Sequence, residues 1–265
     1  MSKIAYAANA TWLPGEWPWE ERLRAIAEAG FKTVEILFPQ RQNLAELTEL
    51  LGKYALRVAL IDTEWDAEYP RGHLSAPEAE DRFWFRFDEA LAIAERLGAR
   101  RINVLAGKHD PNLPFATQFD VAVRRLRAAG ARADERGITL LVEALNDHDN
   151  PGYFVSRSAE GVALVDAVDR PNVRFQHDFY HMQVMEGNLI ETFQGIVAKI
   201  GHIQVADAPG RIMPGRGEIN ILNILKVVEA SPYRGYIGLE YRPPTDGSDP
   251  FGWLPDEPRG LLLDE

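Results

Sequence analysis

The 265-residue chain contains no cysteine, which excludes disulfides, thiolate metal centres and cysteine nucleophiles. It has no run of 18 or more apolar residues, so no segment reads as a membrane-spanning helix. The opening stretch carries Lys3, Asn9, Trp12 and Pro14 in place of the unbroken apolar centre of a signal peptide. A cytoplasmic protein with no membrane partner is therefore expected. Positive charge is also scarce: 29 Lys and Arg against 40 Asp and Glu leave a net charge of −11. Gripping a phosphate backbone needs clustered Lys and Arg, so no nucleic-acid partner is expected. No Gly-x-Gly-x-x-Gly follows the first apolar segment, which counts against a dinucleotide-binding fold. What remains, 46% hydrophobic and 26% charged residues, is the composition of a folded globular chain.

Short apolar runs alternate with longer amphipathic ones along the whole sequence. The runs at 3–9 (KIAYAAN), 33–38 (TVEILF), 57–62 (RVALID), 101–105 (RINVL), 138–145 (ITLLVEAL), 173–178 (VRFQHD), 202–206 (HIQVA) and 236–241 (YIGLEY) read as eight strands. Between them, helical spacing predicts helices at about 17–29, 44–54, 77–97, 115–136, 158–168, 189–199 and 222–230, several stopped by glycines such as Gly30, Gly98 and Gly137. A Pro/Gly-rich tail from 243 to 265 ends in a short helical stretch. Eight β/α units without a break in composition predict a single (β/α)₈ TIM-barrel domain. In such barrels chemistry sits at the C-terminal ends of the strands.

Oxygen-bearing side chains stand near those ends on four successive strands: Glu143, Asp178, Gln204 and Glu240. Strand alternation allows all four to face the barrel axis together. Burying three carboxylates in one mouth is unfavourable without a compensating positive charge. A divalent cation supplies it, and an all-oxygen ligand set suits Mg²⁺ or Mn²⁺ better than zinc or copper. Blander readings of the same residues stay open: a glutamate within a strand serves as half of an ion pair, Asp178 as a helix cap, and His202 as a hydrogen-bonded core histidine. Tyr6, Trp12, Phe38 and Trp65 lie near earlier strand ends and read as pocket wall or plain core. The loop PGRIMPGRG at 209–217 is rigid and carries Arg211 and Arg216, and GKH at 107–109 adds Lys108; an arginine there suits an anionic substrate.

Several of these blocks resemble the hydroxypyruvate isomerase family. They are GHIQVADAPGRIMPGRGEIN at 201–220, YIGLEY at 236–241, VEALN at 142–146, PGYF at 151–154, DFYHMQ at 178–183 and LAGK at 105–108. The resemblance implies a TIM barrel with one divalent metal held by Glu143, Asp178, Gln204 and Glu240, and with Glu143 and Glu240 as the acid/base pair. It implies substrate-binding roles for His181 and Arg211, with Lys108 as a further contact for the substrate carboxylate. Related ketose 3-epimerases carry a histidine where this chain has Gln204, so glutamine points to the hydroxypyruvate branch. The expected reaction is aldose–ketose isomerisation of a small anionic 2-oxo acid, with hydroxypyruvate to tartronate semialdehyde as the leading case. A 2-oxotetronate isomerase and a ketose 3-epimerase acting on a sugar are the alternatives within the fold. An endonuclease IV-like phosphodiesterase is the rival from another class, disfavoured by six histidines and the acidic surface. Assembly into a homo-oligomer is left open by the pattern.

Overall fold

The computed structural model describes residues 4–263; Lys3, expected in the first strand, and the last two residues of the tail lie outside them. The eight strands are β1 (Ile4–Asn9), β2 (Thr33–Glu35), β3 (Arg57–Asp62), β4 (Arg101–Asn103), β5 (Thr139–Glu143), β6 (Val173–Asp178), β7 (Ile200–Val205) and β8 (Gly235–Leu239). All pair in parallel, each with the next, and β8 closes on β1. The helices are α1 (Trp19–Glu28), α2 (Leu44–Lys53), α3 (Glu80–Leu97), α4 (Phe115–Asp134), α5 (Ser158–Val168), α6 (Phe179–Met185), α7 (Leu189–Ile196) and α8 (Ile221–Ala230). The TIM barrel expected from the sequence is the architecture of the protein.

Two departures matter for the site. First, β2, β4 and β5 are shorter at their C-terminal ends than their apolar runs. Near the mouth the ladder gives way to side-chain acceptors: Thr11 Oγ1 takes the Leu37 N–H at 3.0 Å, Thr63 Oγ1 that of Leu105 at 3.0 Å, and Tyr153 Oη that of Ala106 at 2.8 Å. These bonds satisfy buried backbone donors while letting the chain turn outward. Second, α6 follows β6 directly, where the spacing predicts no helix. Asp178 is its N-cap, with Oδ1 accepting the Tyr180 N–H at 2.9 Å.

Along the strands, alternate residues face outward and inward. The outward ones (Ile4, Tyr6 and Ala8 of β1, Ile203 and Val205 of β7, Ile237 and Leu239 of β8) join the main apolar core. Inward, Ala5, Ala7, Ala59 and Tyr236 form a small floor against which Leu261 and Leu263 of the tail pack. The tail is anchored by Arg259, whose guanidinium donates to the carbonyls of Ala29, Phe251 and Leu254. It ends in a single 3₁₀ turn, Glu257–Gly260. The tail therefore stops the N-terminal end of the barrel, leaving its C-terminal mouth for chemistry.

Candidate active site

Above the apolar floor the barrel interior turns polar. Glu35, fully buried, accepts from Asn9 Nδ2 at 3.0 Å and from Gln204 Nε2 at 3.0 Å, and His202 Nε2 closes on its other oxygen. His202 is thus a hydrogen-bonded core histidine. Because the carboxylate of Glu35 takes the Gln204 NH₂, the Gln204 amide oxygen is turned to the opposite side, where Gln176 Nε2 donates to it at 2.8 Å. An sp² oxygen keeps a second lone pair after that bond.

The next level holds Glu143 at the end of β5, Asp178 at the end of β6 and Glu240 just beyond β8. Glu143 Oε2 accepts from Asn103 Nδ2 at 2.8 Å, and its buried Oε1 has no hydrogen-bond partner. Arg211 reaches in from the β7–α8 loop. Its Nη2 lies 2.7 Å from Glu240 Oε1 and 3.0 Å from Asp178 Oδ2, and its Nε donates to the Glu240 carbonyl at 3.1 Å. Trp12 and Tyr180 flank the guanidinium at 5.5 and 5.4 Å. Asp207 builds the loop behind it, taking the N–H groups of Ala208 and Ile219 on one carboxylate oxygen and those of Gly215 and Gly217 on the other. A Cβ at Gly217 would sit 2.1 Å from the Ala208 carbonyl oxygen, so only glycine fits there.

Electrostatics follow from this crowding. Burial raises the pKa of Glu143 far above the carboxylate range, and the charges of Glu240 and Asp178 push it further. Glu240 is likewise raised by burial, against the pull of Arg211. Asp178 is raised less clearly, burial being opposed by Arg211 and by the N–H of Tyr180. For Arg211 burial opposes the charge, but Glu240, Asp178 and Glu143 outweigh it and hold the guanidinium ionised. One arginine thus faces three buried carboxylates, and their raised pKa values reflect that one guanidinium does not offset the burial of all three.

His181, on the first turn of α6, is buried and held neutral, chiefly by desolvation and then by Arg211. Its Nδ1 takes the backbone N–H of Asn146 at 3.1 Å. Its Nε2 lies 3.2 Å from Arg211 Nη1, which can only donate, and 3.6 Å from Asp178 Oδ2. Glu143, Asp178 and His181 have ligand atoms within 4.8 Å of one another and could hold a metal ion between them. The buried carboxylates of Glu143, Asp178 and Glu240, one with an unpartnered oxygen, and the Gln204 amide oxygen are hard donors of the kind a divalent ion takes, although Glu240 stands outside that three-residue group. Lys108 is exposed and stands outside this network.

Two further carboxylates, missed by sequence reasoning, belong to the same interior. Glu35 ends β2 and Asp62 ends β3, both buried. Asp62 Oδ1 is unpartnered, and burial, followed by the charges of Glu143 and Glu35, raises its pKa well above the usual range. Each sits in an apolar run, TVEILF and RVALID, as Glu143 does in ITLLVEAL. The signal is the same one.

This fold and this acid-rich mouth define a class of sugar-isomerase-type barrels, and comparison with known proteins places the chain within it. The xylose isomerase-like TIM barrel family model matches residues 23–259. The chain is 35% identical to hydroxypyruvate isomerase of Escherichia coli over 95% of its own length and 98% of that protein. It is 35% identical to 2-oxo-tetronate isomerase of Cupriavidus necator, over 94% and 96% respectively. A crystal structure of an AP endonuclease, family 2, from Brucella melitensis superposes with a TM-score of 0.90 at 33% identity, covering 96% of this chain and 98% of that one. The chain belongs to the hydroxypyruvate isomerase family of xylose isomerase-like TIM barrels.

Proposed function

We propose that the protein is a divalent-metal-dependent isomerase of a short 2-oxo acid, interconverting hydroxypyruvate and tartronate semialdehyde. Membership of the isomerase class rests on its relatives; substrate, metal and mechanism are the reading proposed here. The observation that carries it is the pairing of Glu143 and Glu240 in one buried mouth with unlike partners. Glu240 touches a guanidinium, whereas Glu143 has only the Asn103 amide and a free oxygen. Unequal environments of this kind separate the proton affinities of two carboxyls and so divide their roles.

Glu240, the carboxylate in contact with Arg211, removes the proton from the carbon next to the substrate carbonyl. Glu143, which burial inclines to hold a proton, delivers one to the former carbonyl carbon, while the hydroxyl proton passes from the terminal oxygen to the former carbonyl oxygen. His181, held between Asn146 and Arg211, lines the site as a contact for a substrate oxygen. Glu143, Asp178, Gln204 and Glu240 are the residues that would hold Mg²⁺ or Mn²⁺. Such an ion would polarise the carbonyl and stabilise the charge that proton removal leaves.

The likeness to the Brucella AP endonuclease favours a second reading, phosphodiester cleavage in DNA. A net charge of −11 and an oxygen-dominated ligand set argue against it. A panel of small 2-oxo acids, ketoses and abasic-site DNA, scored by product identity with Mn²⁺ or Mg²⁺ and with chelator, tests both. The expected result is chelator-sensitive isomerisation of a 2-oxo acid. Activity on neutral ketoses alone, or DNA cleavage alone, would overturn the proposal.

A further inference from the structure

Arg211 is saturated by Asp178, Glu240 and a backbone carbonyl, so the carboxylate of a 2-oxo acid needs another cation. Arg41 is spent in the same way, in a forked pair with Glu64 at 2.8 and 2.7 Å. Lys108 and Arg242 are exposed. Arg71, on the β3–α3 loop, differs from all of these. It is half-buried, and no carboxylate pairs with it among the described residues. Its guanidinium lies 6.0 Å from the Trp65 ring centroid, and its charge is felt by the buried His181 and Tyr153.

The loop is built to hold it there. Arg71 adopts φ +70°, a left-handed conformation it shares with Arg211 at +56°. Non-glycine residues persist in this region only where their surroundings enforce it. Here the Gly107 N–H bonds the Arg71 carbonyl at 3.0 Å. The neighbouring Gly72 is pressed on the segment that follows β4, so that a Cβ would come within 2.1 Å of the Leu105 carbonyl oxygen. From below, the fully buried Arg125 donates to the carbonyls of His73, Leu74, Ala76 and Pro77. A clamped loop that holds one unpaired guanidinium against Trp65, on the strand-end segment that Gly107 and Tyr153 tie together, offers an anion a subsite.

We propose that Arg71, backed by Trp65, binds the carboxylate of the substrate and so selects 2-oxo acids over neutral ketoses. This assignment rests on the 2-oxo acid reading above. It places substrate between Arg71 on one side and Glu143, Glu240 and His181 on the other.

The test compares pyruvate with hydroxyacetone, which has a hydroxymethyl group in place of the carboxylate, by calorimetric binding to the Mn²⁺-loaded protein. Arg71→Gln is expected to weaken pyruvate binding at least about tenfold and leave hydroxyacetone binding unchanged, with Arg71→Lys in between. In turnover, Arg71→Gln raises KM for the 2-oxo acid with little change in kcat. Pyruvate binding unchanged in Arg71→Gln, or equal losses for both ligands in both variants, would overturn the assignment. The failure of the underlying reading looks different: wild-type protein would then prefer hydroxyacetone to pyruvate.

Discussion

Replacing Arg211 with methionine removes the one guanidinium that touches both Asp178 and Glu240, at 3.0 and 2.7 Å, and keeps most of the side-chain volume. Breaking a buried ion pair on one side costs about 3–5 kcal/mol, because the remaining charge is left uncompensated. The loss depends on pH with a definite sign. Glu143 and Glu240 have folded-state pKa values above their unfolded ones. The stability tied to their protonation is therefore complete below the ordinary carboxylate range and is lost as pH rises through the raised values. Without Arg211 those values rise further, so the deficit of the variant grows with pH. In metal-free protein we expect about 3–5 kcal/mol at pH 8 and a clearly smaller loss at pH 5. A divalent ion bound to the same oxygens offsets the deficit by about 2.7 kcal/mol at a hundred times its Kd. Urea unfolding followed by circular dichroism, at both pH values and with EDTA or Mn²⁺, measures each quantity. A deficit equal at pH 5 and pH 8 and unmoved by metal would refute the electrostatic reasoning.

His177 faces outward from β6 against Phe179 and Phe193, with neither ring nitrogen bonded, and burial drives its pKa down to about 3. Stability linked to it is complete above about pH 6.5 and is lost as pH falls toward 3, about 2 kcal/mol by pH 5. His177→Phe should remove this acid sensitivity, and an unfolding free energy that tracks wild type between pH 7 and 5 would count against it. Gly238 leaves room for Glu35, whose Oε1 would lie 1.9 Å from an added Cβ. Gly238→Ala should therefore displace Glu35 from Asn9, His202 and Gln204, at a cost of about 2–4 kcal/mol; a thermal midpoint within a degree of wild type would contradict that.

The barrel was legible because eight apolar runs, punctuated by glycine, alternate with amphipathic helices, and periodicity reports directly which residues are buried. Glu143, Asp178 and Glu240 were legible as a group because three charged residues stand at the same ends of successive apolar runs, where strand alternation can turn them to one axis. Asp178 shows why two readings of one residue need not compete: one oxygen caps α6 and the other holds Arg211. The seven-residue α6 escaped because DFYHMQ is too short for helical spacing to show. Glu35 and Asp62 escaped because their strands precede the four on which the oxygen pattern was sought. Arg71 left no local signal at all, since its loop is held by Arg125, 54 positions later.

We propose that Glu240 takes a proton from carbon in a metal-assisted isomerisation. Incubating the Mn²⁺-loaded protein with hydroxypyruvate in D₂O and following the hydroxymethyl hydrogens by NMR tests it most directly. The account predicts deuterium exchange and tartronate semialdehyde for wild type, and substrate binding without exchange for Glu240→Gln. Undiminished exchange in Glu240→Gln, or none in wild type, would contradict it.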